Sequence, residues 1–144
     1  MSKLIEKFKK EHSLIIENIN RVKKHGINTV NGFKELLSVK DDITAHMKEE
    51  DEEFYPKLRK AAKFSQRLKE LLDAFDKDKD KIKRYSVALF GKHITTYGGE
   101  RALELEKFIS ILERRILREK TFLFAEFEKL KWNGVRSQCK AFMI

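Results

Sequence analysis

The sequence predicts an all-α protein folded as an up-down-up-down antiparallel four-helix bundle. Apolar residues recur at helical spacing in four long segments, and the breaks between these segments are short. The chain of 144 residues is 41% hydrophobic and 38% charged and carries one proline and six glycines, a composition typical of a soluble helical domain with a single core. We therefore expect one bundle over residues 1–132, followed by a C-terminal tail over residues 133–144.

The first two segments predict a helical hairpin. The first helix is expected from about Ser2 to Lys24 and ends at "HGINTVNG"; its apolar stripe is Leu4, Ile5, Phe8, Ile15, Ile19 and Val22. The second is expected from about Val30 to Tyr55, and Pro56 should end it because proline cannot donate to the helical hydrogen-bond ladder. Its inward positions are predicted to be Phe33, Leu36, Leu37, Ile43, Met47 and Phe54.

The third and fourth segments predict a second hairpin. Ser65 can cap the third helix, which should continue toward His93 with an apolar stripe of Leu72, Phe75, Ile82 and Leu89. A glycine pair in "TTYGGE" separates it from the fourth helix, expected from about Glu100 to Lys131. The inward positions of the fourth helix are predicted to be Leu105, Phe108, Leu112, Ile116, Phe122 and Leu123.

Polar residues interrupt three of these apolar stripes: His12 on the first helix, His46 and Glu50 on the second, and Arg115 and Glu119 on the fourth. Burying such groups without partners is costly, so each should be paired or bound to an ion. Residues four apart share a helical face, so His46 and Glu50 could ligate one ion, and imidazole with carboxylate suits iron, manganese or zinc. The spacing alone, however, favours a simpler interpretation, an exposed acidic turn beside one hydrogen-bonded histidine.

Charge and composition exclude several function classes. The net charge of +9 raises the question of an anionic partner, but basic and acidic residues alternate, and the sequence contains no zinc-finger spacing, phosphate-binding loop or RNP-like strand. We therefore expect no specific nucleic-acid partner. No apolar run approaches the roughly 20 residues that span a bilayer, and the N-terminus lacks the apolar core of a signal peptide. We expect no membrane association and a cytoplasmic location.

The stretch "HMKEEDEEFYP", His46 to Pro56, resembles the hemerythrin-like (HHE cation-binding) family, whose second helix ends in H-x-x-x-E, acidic residues, an aromatic or leucine pair, and proline. Glu11 and His12 are similar to the family's first-helix "EH". In "RILREKTFLF", Arg115 stands where the fourth-helix histidine is expected and Glu119 where a bridging carboxylate is expected. The resemblance covers roughly residues 3 to 125.

The resemblance implies a metal site whose ligands are His12, His46, Glu50 and Glu119. It also implies that the family's di-iron site is degenerate here, because the third-helix ligands align near Lys79 and Lys83, and Arg115 replaces a histidine. Two interpretations remain open. In the first, the four residues hold one divalent metal, and Arg115 or Lys79 takes the place of the second ion. In the second, no metal binds, and Arg115 and a lysine neutralise the carboxylates in a buried ion-pair network.

The function implied by the resemblance is that of a non-enzymatic, non-haem iron domain that senses oxygen, nitric oxide or redox state, or that stores metal. Its ligand would be dioxygen or another small diatomic molecule. We expect one or two iron ions. Another divalent metal, or no metal at all, remains an alternative. Reversible oxygen carriage is not expected, because it draws electrons from two irons. The alternative is a metal-free degenerate bundle that acts as a protein-interaction module with a protein partner.

Overall fold

The computed structural model describes residues 2–27, 29–90 and 100–130, and over these ranges the chain is an all-α bundle, as predicted. The α-helices are α1 (Lys3–His25), α2 (Val30–Glu49), α3 (Tyr55–Ala62), α4 (Gln66–Phe90) and α5 (Glu100–Arg118). A π-helical turn, Glu50–Phe54, joins α2 to α3. A second π-helical turn, Glu119–Leu123, continues α5 into a helical segment at residues 124–130. These elements form four long helical arms. The first arm is α1, the second is α2 with its π-helical turn and α3, the third is α4, and the fourth is α5 with its π-helical turn and residues 124–130.

Ion pairs show that neighbouring arms run antiparallel. Lys7 near the start of α1 pairs with Glu49 at the end of α2, with Nζ and Oε2 2.5 Å apart. Arg67 at the start of α4 pairs with Glu126, beyond the end of α5. Helix α1 also packs against α5, and α3 against α4. The described helices therefore follow the up-down-up-down order that the sequence predicts.

The turn between α1 and α2 depends on two glycines. Gly26 ends α1 at φ 102°, a conformation that favours glycine, and its N–H donates to the carbonyl of Val22. Gly32 lies in the first turn of α2, where a Cβ would stand 2.2 Å from the carbonyl oxygen of Gly26. Thr29 caps α2 by accepting a 3.1 Å hydrogen bond from the Gly32 N–H. These contacts bring α1 and α2 close together.

The interior consists of two apolar clusters with a layer of buried polar side chains between them. The aliphatic cluster lies toward the α1–α2 turn and includes Ile15, Ile19, Val22, Leu36, Ile43, Leu89, Leu105, Phe108 and Leu112. The aromatic cluster lies at the other end and includes Ile5, Phe8, Phe54, Leu58, Leu72, Phe75, Leu123, Phe124 and Phe127. The polar layer consists of His12, His46, Glu50, Arg115 and Glu119.

Two positions predicted to face the core are exposed instead. Phe122 is 45% exposed because the π-helical turn accommodates an additional residue, so that Leu123 and Phe124 face inward. Leu37 is 43% exposed because it lies about 100° around the helix from the buried Leu36. The other predicted core positions lie within the described residues and are buried or half-buried.

The prediction that Pro56 ends the second helical arm is wrong. Pro56 lies in the first turn of α3, where its missing N–H costs little, and the arm continues to Ala62. The predicted cap of the next helix is confirmed, since the Leu68 N–H donates to Ser65 Oγ at 3.2 Å. The predicted helix ends at His93 and Lys131 and the predicted tail lie outside the described residues. No helix in the described part of the chain is long and apolar enough to cross a membrane.

Candidate metal centre

Four buried side chains from three arms converge in the polar layer. One nitrogen or carboxylate oxygen from each lies within 4.8 Å of the others, and the residues are His12, His46, Glu50 and Glu119. None of the four is more than 5% exposed. The structure therefore brings together all four ligands that the family resemblance implies, and each comes from a helix that the apolar periodicity predicted.

The facing atoms of this group lack hydrogen-bond partners. His12 Nε2 lies 3.3 Å from Glu119 Oε1, and His46 Nε2 lies 3.2 Å from Glu50 Oε1. Neither histidine nitrogen, nor Glu119 Oε1 or Glu50 Oε2, is hydrogen-bonded to any described residue. Because leaving buried polar atoms unsatisfied is costly, their convergence is the arrangement expected of ligands to a cation. Two imidazoles and two carboxylates suit a divalent first-row metal.

Both carboxylates begin a π-helical turn. The Tyr55 N–H donates to the Glu50 carbonyl, and the Phe124 N–H donates to the Glu119 carbonyl, each five residues back. Such turns often occur at functional sites, and here each one directs a glutamate and the residue five positions later into the interior. Helical periodicity did not predict either turn. Pro56 was the signal for the first, because a proline within an apolar helical pattern indicates an interrupted ladder.

Arg115 lies in the polar layer beside both glutamates. Its side chain is 2% exposed, Nη2 lies 3.8 Å from Glu50 Oε1, and Nε lies 3.6 Å from Glu119 Oε2. The guanidinium carbon is 5.0 Å from the centre of the Tyr55 ring, a cation–π contact. Arg115 thus supplies positive charge next to the carboxylates, the role that the sequence suggested for it.

The third predicted helix contributes no cation to the layer among the described residues. Lys79, the alternative to Arg115, pairs instead with Asp51, with Nζ and Oδ1 2.8 Å apart. Lys83 is exposed. Sequence reasoning missed the buried Asp78 on the same helix, which accepts a 2.7 Å hydrogen bond from Arg114 outside the layer.

Two further residues contact ligand side chains through atoms that do not face the centre of the group. The Tyr55 hydroxyl donates a 2.5 Å hydrogen bond to Glu119 Oε2, and Glu11 Oε1 lies 3.5 Å from His46 Nδ1. A proton on Nδ1 would point at Glu11 and leave the Nε2 lone pair facing the other ligands. Neither residue was predicted as part of the site, although both belong to the stretches that carry the family resemblance.

Burial determines the protonation of the layer when no cation is bound. Burial, assisted by His12, lowers the pKa of His46 to about 4, so this imidazole is neutral, the form that ligates metals. Burial, assisted by Glu119, raises the pKa of Glu50 well above its usual value. Burial also acts to raise the pKa of Glu119, but the neighbouring Glu50, His12 and Arg115 outweigh it and lower that pKa to about 2. The direction of the Glu50 shift favours the protonated form of this carboxyl when no cation is bound.

Aromatic rings separate this group from solvent on one side. Phe8 packs edge-on against the His46 ring at 5.2 Å, and Phe124 stacks on the His12 ring at 5.4 Å between centres. A low-dielectric surrounding of this kind strengthens the attraction between a bound cation and the carboxylates.

A family model described as the Hemerythrin HHE cation binding domain matches residues 3–127 of the chain. The match includes the four arms and all residues of the polar layer. No curated protein and no solved structure gave a significant match.

Proposed function

Because the chain belongs to the hemerythrin HHE cation-binding family over residues 3–127, we propose that it is a metal-binding domain that holds one divalent ion between His12, His46, Glu50 and Glu119. The convergence of four buried ligand atoms within 4.8 Å, without hydrogen bonds that satisfy the facing atoms within the described residues, supports this proposal most directly. The raised pKa of Glu50 is consistent with this proposal, since a cation that displaces a proton from this buried carboxyl gains an ionised ligand.

Non-haem iron is the ion we propose, because the ligand set combines imidazole and carboxylate without thiolate. Iron would supply a one-electron redox change and a position for a small diatomic ligand. His12 and His46 would provide nitrogen ligands, and Glu50 and Glu119 would balance the charge of the ion. The role we infer is non-enzymatic: sensing of oxygen, nitric oxide or redox state, or storage of metal.

A single ion, rather than two, follows from Arg115. Its guanidinium lies 3.6 and 3.8 Å from the two carboxylates, so a second cation nearby would be repelled. The described part of α4 also presents no histidine, the ligand type that the family uses there. We therefore do not propose reversible oxygen carriage.

Elemental analysis tests the proposal. Protein expressed with added iron and purified without chelator should contain about one metal ion per chain, and the absorption spectrum in air should identify iron. His46→Gln should lose the ion, whereas His25→Gln, at a half-exposed histidine far from the layer, should retain it. Wild-type protein without metal, or His46→Gln protein with full metal content, would refute the proposal. Two ions per chain would refute the single-ion assignment alone.

The alternative, a metal-free bundle that binds a partner protein, is also supported by one observation. Without a cation, Glu119 lies beside Arg115, with Oε2 and Nε 3.6 Å apart, and burial raises the pKa of Glu50, which favours its neutral form. An arrangement of this kind can stabilise a fold without metal. Metal analysis separates the two functions, because the alternative requires no ion in the purified protein.

A further inference from the structure

The two carboxylate oxygens of Glu119 have different surroundings. Oε2 accepts a 2.5 Å hydrogen bond from the Tyr55 hydroxyl, whereas Oε1 lies 3.3 Å from His12 Nε2 and has no hydrogen-bond partner among the described residues. A short hydrogen bond from a hydroxyl to a carboxylate is among the stronger hydrogen bonds in proteins. The protein therefore holds one oxygen of Glu119, and the other is available to an ion.

The Tyr55 hydroxyl is held against Oε2 by contacts of its ring. The Phe54 ring packs edge-on against it at 5.2 Å between centres, and the guanidinium carbon of Arg115 lies 5.0 Å from the ring centre. Arg115 Nε is 3.6 Å from the same Oε2, which is too long for a normal hydrogen bond. In this arrangement Arg115 therefore does not duplicate the bond that Tyr55 makes.

This hydrogen bond limits the number of donor atoms that an ion can use. His12 and His46 offer one nitrogen each, Glu50 offers one oxygen or both, and Glu119 offers Oε1 alone, so the group provides at most five donors. Release of Oε2 would add a sixth. An octahedral first-row ion would then have no position left for an outside ligand, whereas sites that react with small molecules keep such a position open.

We propose that Tyr55 is a positioning residue that restricts Glu119 to a single donor oxygen and thereby keeps a coordination position open for a small exogenous ligand. The inference rests on the proposed function, because it requires an ion between the four ligands. It deepens that function, since an open position suits a centre that senses a small molecule and is not needed by one that only stores metal.

Cobalt(II)-substituted protein tests the proposal, because the visible absorption of cobalt(II) changes with the number of its ligands. Wild-type and Tyr55→Phe protein are titrated with cobalt(II) and then with sodium azide. We expect Tyr55→Phe to bind cobalt(II) at least as tightly as wild type, because the released Oε2 becomes a further ligand. Its azide affinity should fall by about 10- to 100-fold, the usual effect of losing an outer partner of a ligand, since Oε2 takes the position that azide needs.

Tyr85→Phe is the matched control. It removes the same hydroxyl group from a half-buried tyrosine that packs on the aliphatic cluster. Its cobalt(II) and azide affinities should equal those of wild type.

A measurement on wild-type protein gives a second test that does not depend on the folding of a variant. The Tyr55 hydroxyl proton, in a 2.5 Å bond to a carboxylate, should give a downfield resonance in metal-free and zinc-loaded protein alike, recorded with ¹³C-labelled tyrosine. Loss of this resonance on zinc binding would show that Oε2 leaves Tyr55 and would overturn the proposal.

The outcomes separate this inference from the proposed function. Wild-type protein that binds no cobalt(II), iron or zinc refutes the metal centre, and the inference with it. Wild-type protein that binds one cobalt(II) ion but no azide leaves the metal centre standing and overturns the open position. Equal azide affinity in Tyr55→Phe and wild type, or about 10- to 100-fold weaker cobalt(II) binding in Tyr55→Phe, indicates that Tyr55 only supports the ligand and overturns the proposal.

Discussion

Replacement of Glu50 by glutamine distinguishes a metal ligand from a member of an ion-pair network. In the metal-free protein, burial and the charge of Glu119 raise the pKa of Glu50 and favour its protonated form, and glutamine has nearly the same shape and charge as that form. We expect Glu50→Gln to change the free energy of unfolding of metal-free protein at pH 7 by less than about 1 kcal/mol.

The same substitution should remove most of the stabilisation that metal provides. Changes to groups that merely contact a ligand weaken metal binding by about 10- to 100-fold, so loss of a ligand itself should cost at least about 100-fold. At a zinc concentration 100 times the wild-type Kd, zinc stabilises wild-type protein by about 2.7 kcal/mol. With 100-fold weaker binding, this falls to about 0.4 kcal/mol in Glu50→Gln.

Urea unfolding with and without zinc measures both values. Glu113→Gln is the control, because Glu113 is a partly exposed carboxylate on α5 that pairs with Lys23 at 2.9 Å, and its replacement should change neither value appreciably. If Glu50 were instead ionised and paired with Arg115, their attraction across 3.8 Å at an effective dielectric constant of about 20 would be about 4 kcal/mol. A loss of that size in metal-free Glu50→Gln, with no effect of zinc on either protein, would refute our reasoning.

Three further predictions concern the charge, the protonation and the packing of the bundle. Arg115→Met should increase zinc affinity at least tenfold, because it removes a cation 3.6 to 3.8 Å from both carboxylates; calorimetry showing equal or weaker binding would contradict this. In metal-free Glu50→Gln protein, lowering the pH from 6.5 to 5 should reduce the free energy of unfolding by about 2 kcal/mol, because the unfolded chain protonates His46 near 6.5 and the folded chain only near 4. Urea titrations should show this slope disappear when His46→Gln is added. Gly32→Ala should lower the free energy of unfolding by about 1–3 kcal/mol, because the added Cβ would lie 2.2 Å from a backbone oxygen. Asn31→Ala, at an exposed position, should change it by no more than about 0.5 kcal/mol, and thermal unfolding of both variants measures the difference.

The helical arms and the ligands were predictable because both depend on local spacing. His46 and Glu50 are four residues apart and share a helical face, and Arg115 and Glu119 repeat this spacing. Each also interrupts an apolar stripe, which is why burial could be inferred before any contact was known. The combination of these local signals with the family resemblance identified the four residues that the fold brings together.

Three features that local spacing does not reveal were not predicted. Phe122 fits an α-helical stripe, and its exposure results from a π-helical turn that no proline or glycine announces. The alternating charges around Lys79 allow several alignments of the third helix, and only the packing of α4 shows that this lysine pairs with Asp51. Tyr55 was unassigned because its hydrogen bond to Glu119 joins residues 64 apart in the sequence.

The position of the polar layer has a consequence for how the bundle unfolds. The layer separates the aliphatic cluster from the aromatic cluster, so each half of the interior has its own apolar contacts. The ligands lie on the arms formed by α1, α2 and α5, all of which continue into both halves. We therefore expect a bound ion to couple the two halves more strongly, and its removal to let each half open more independently. Amide protons at both ends of the molecule, far from any ligand, should then exchange with solvent more slowly in metal-bound than in metal-free protein.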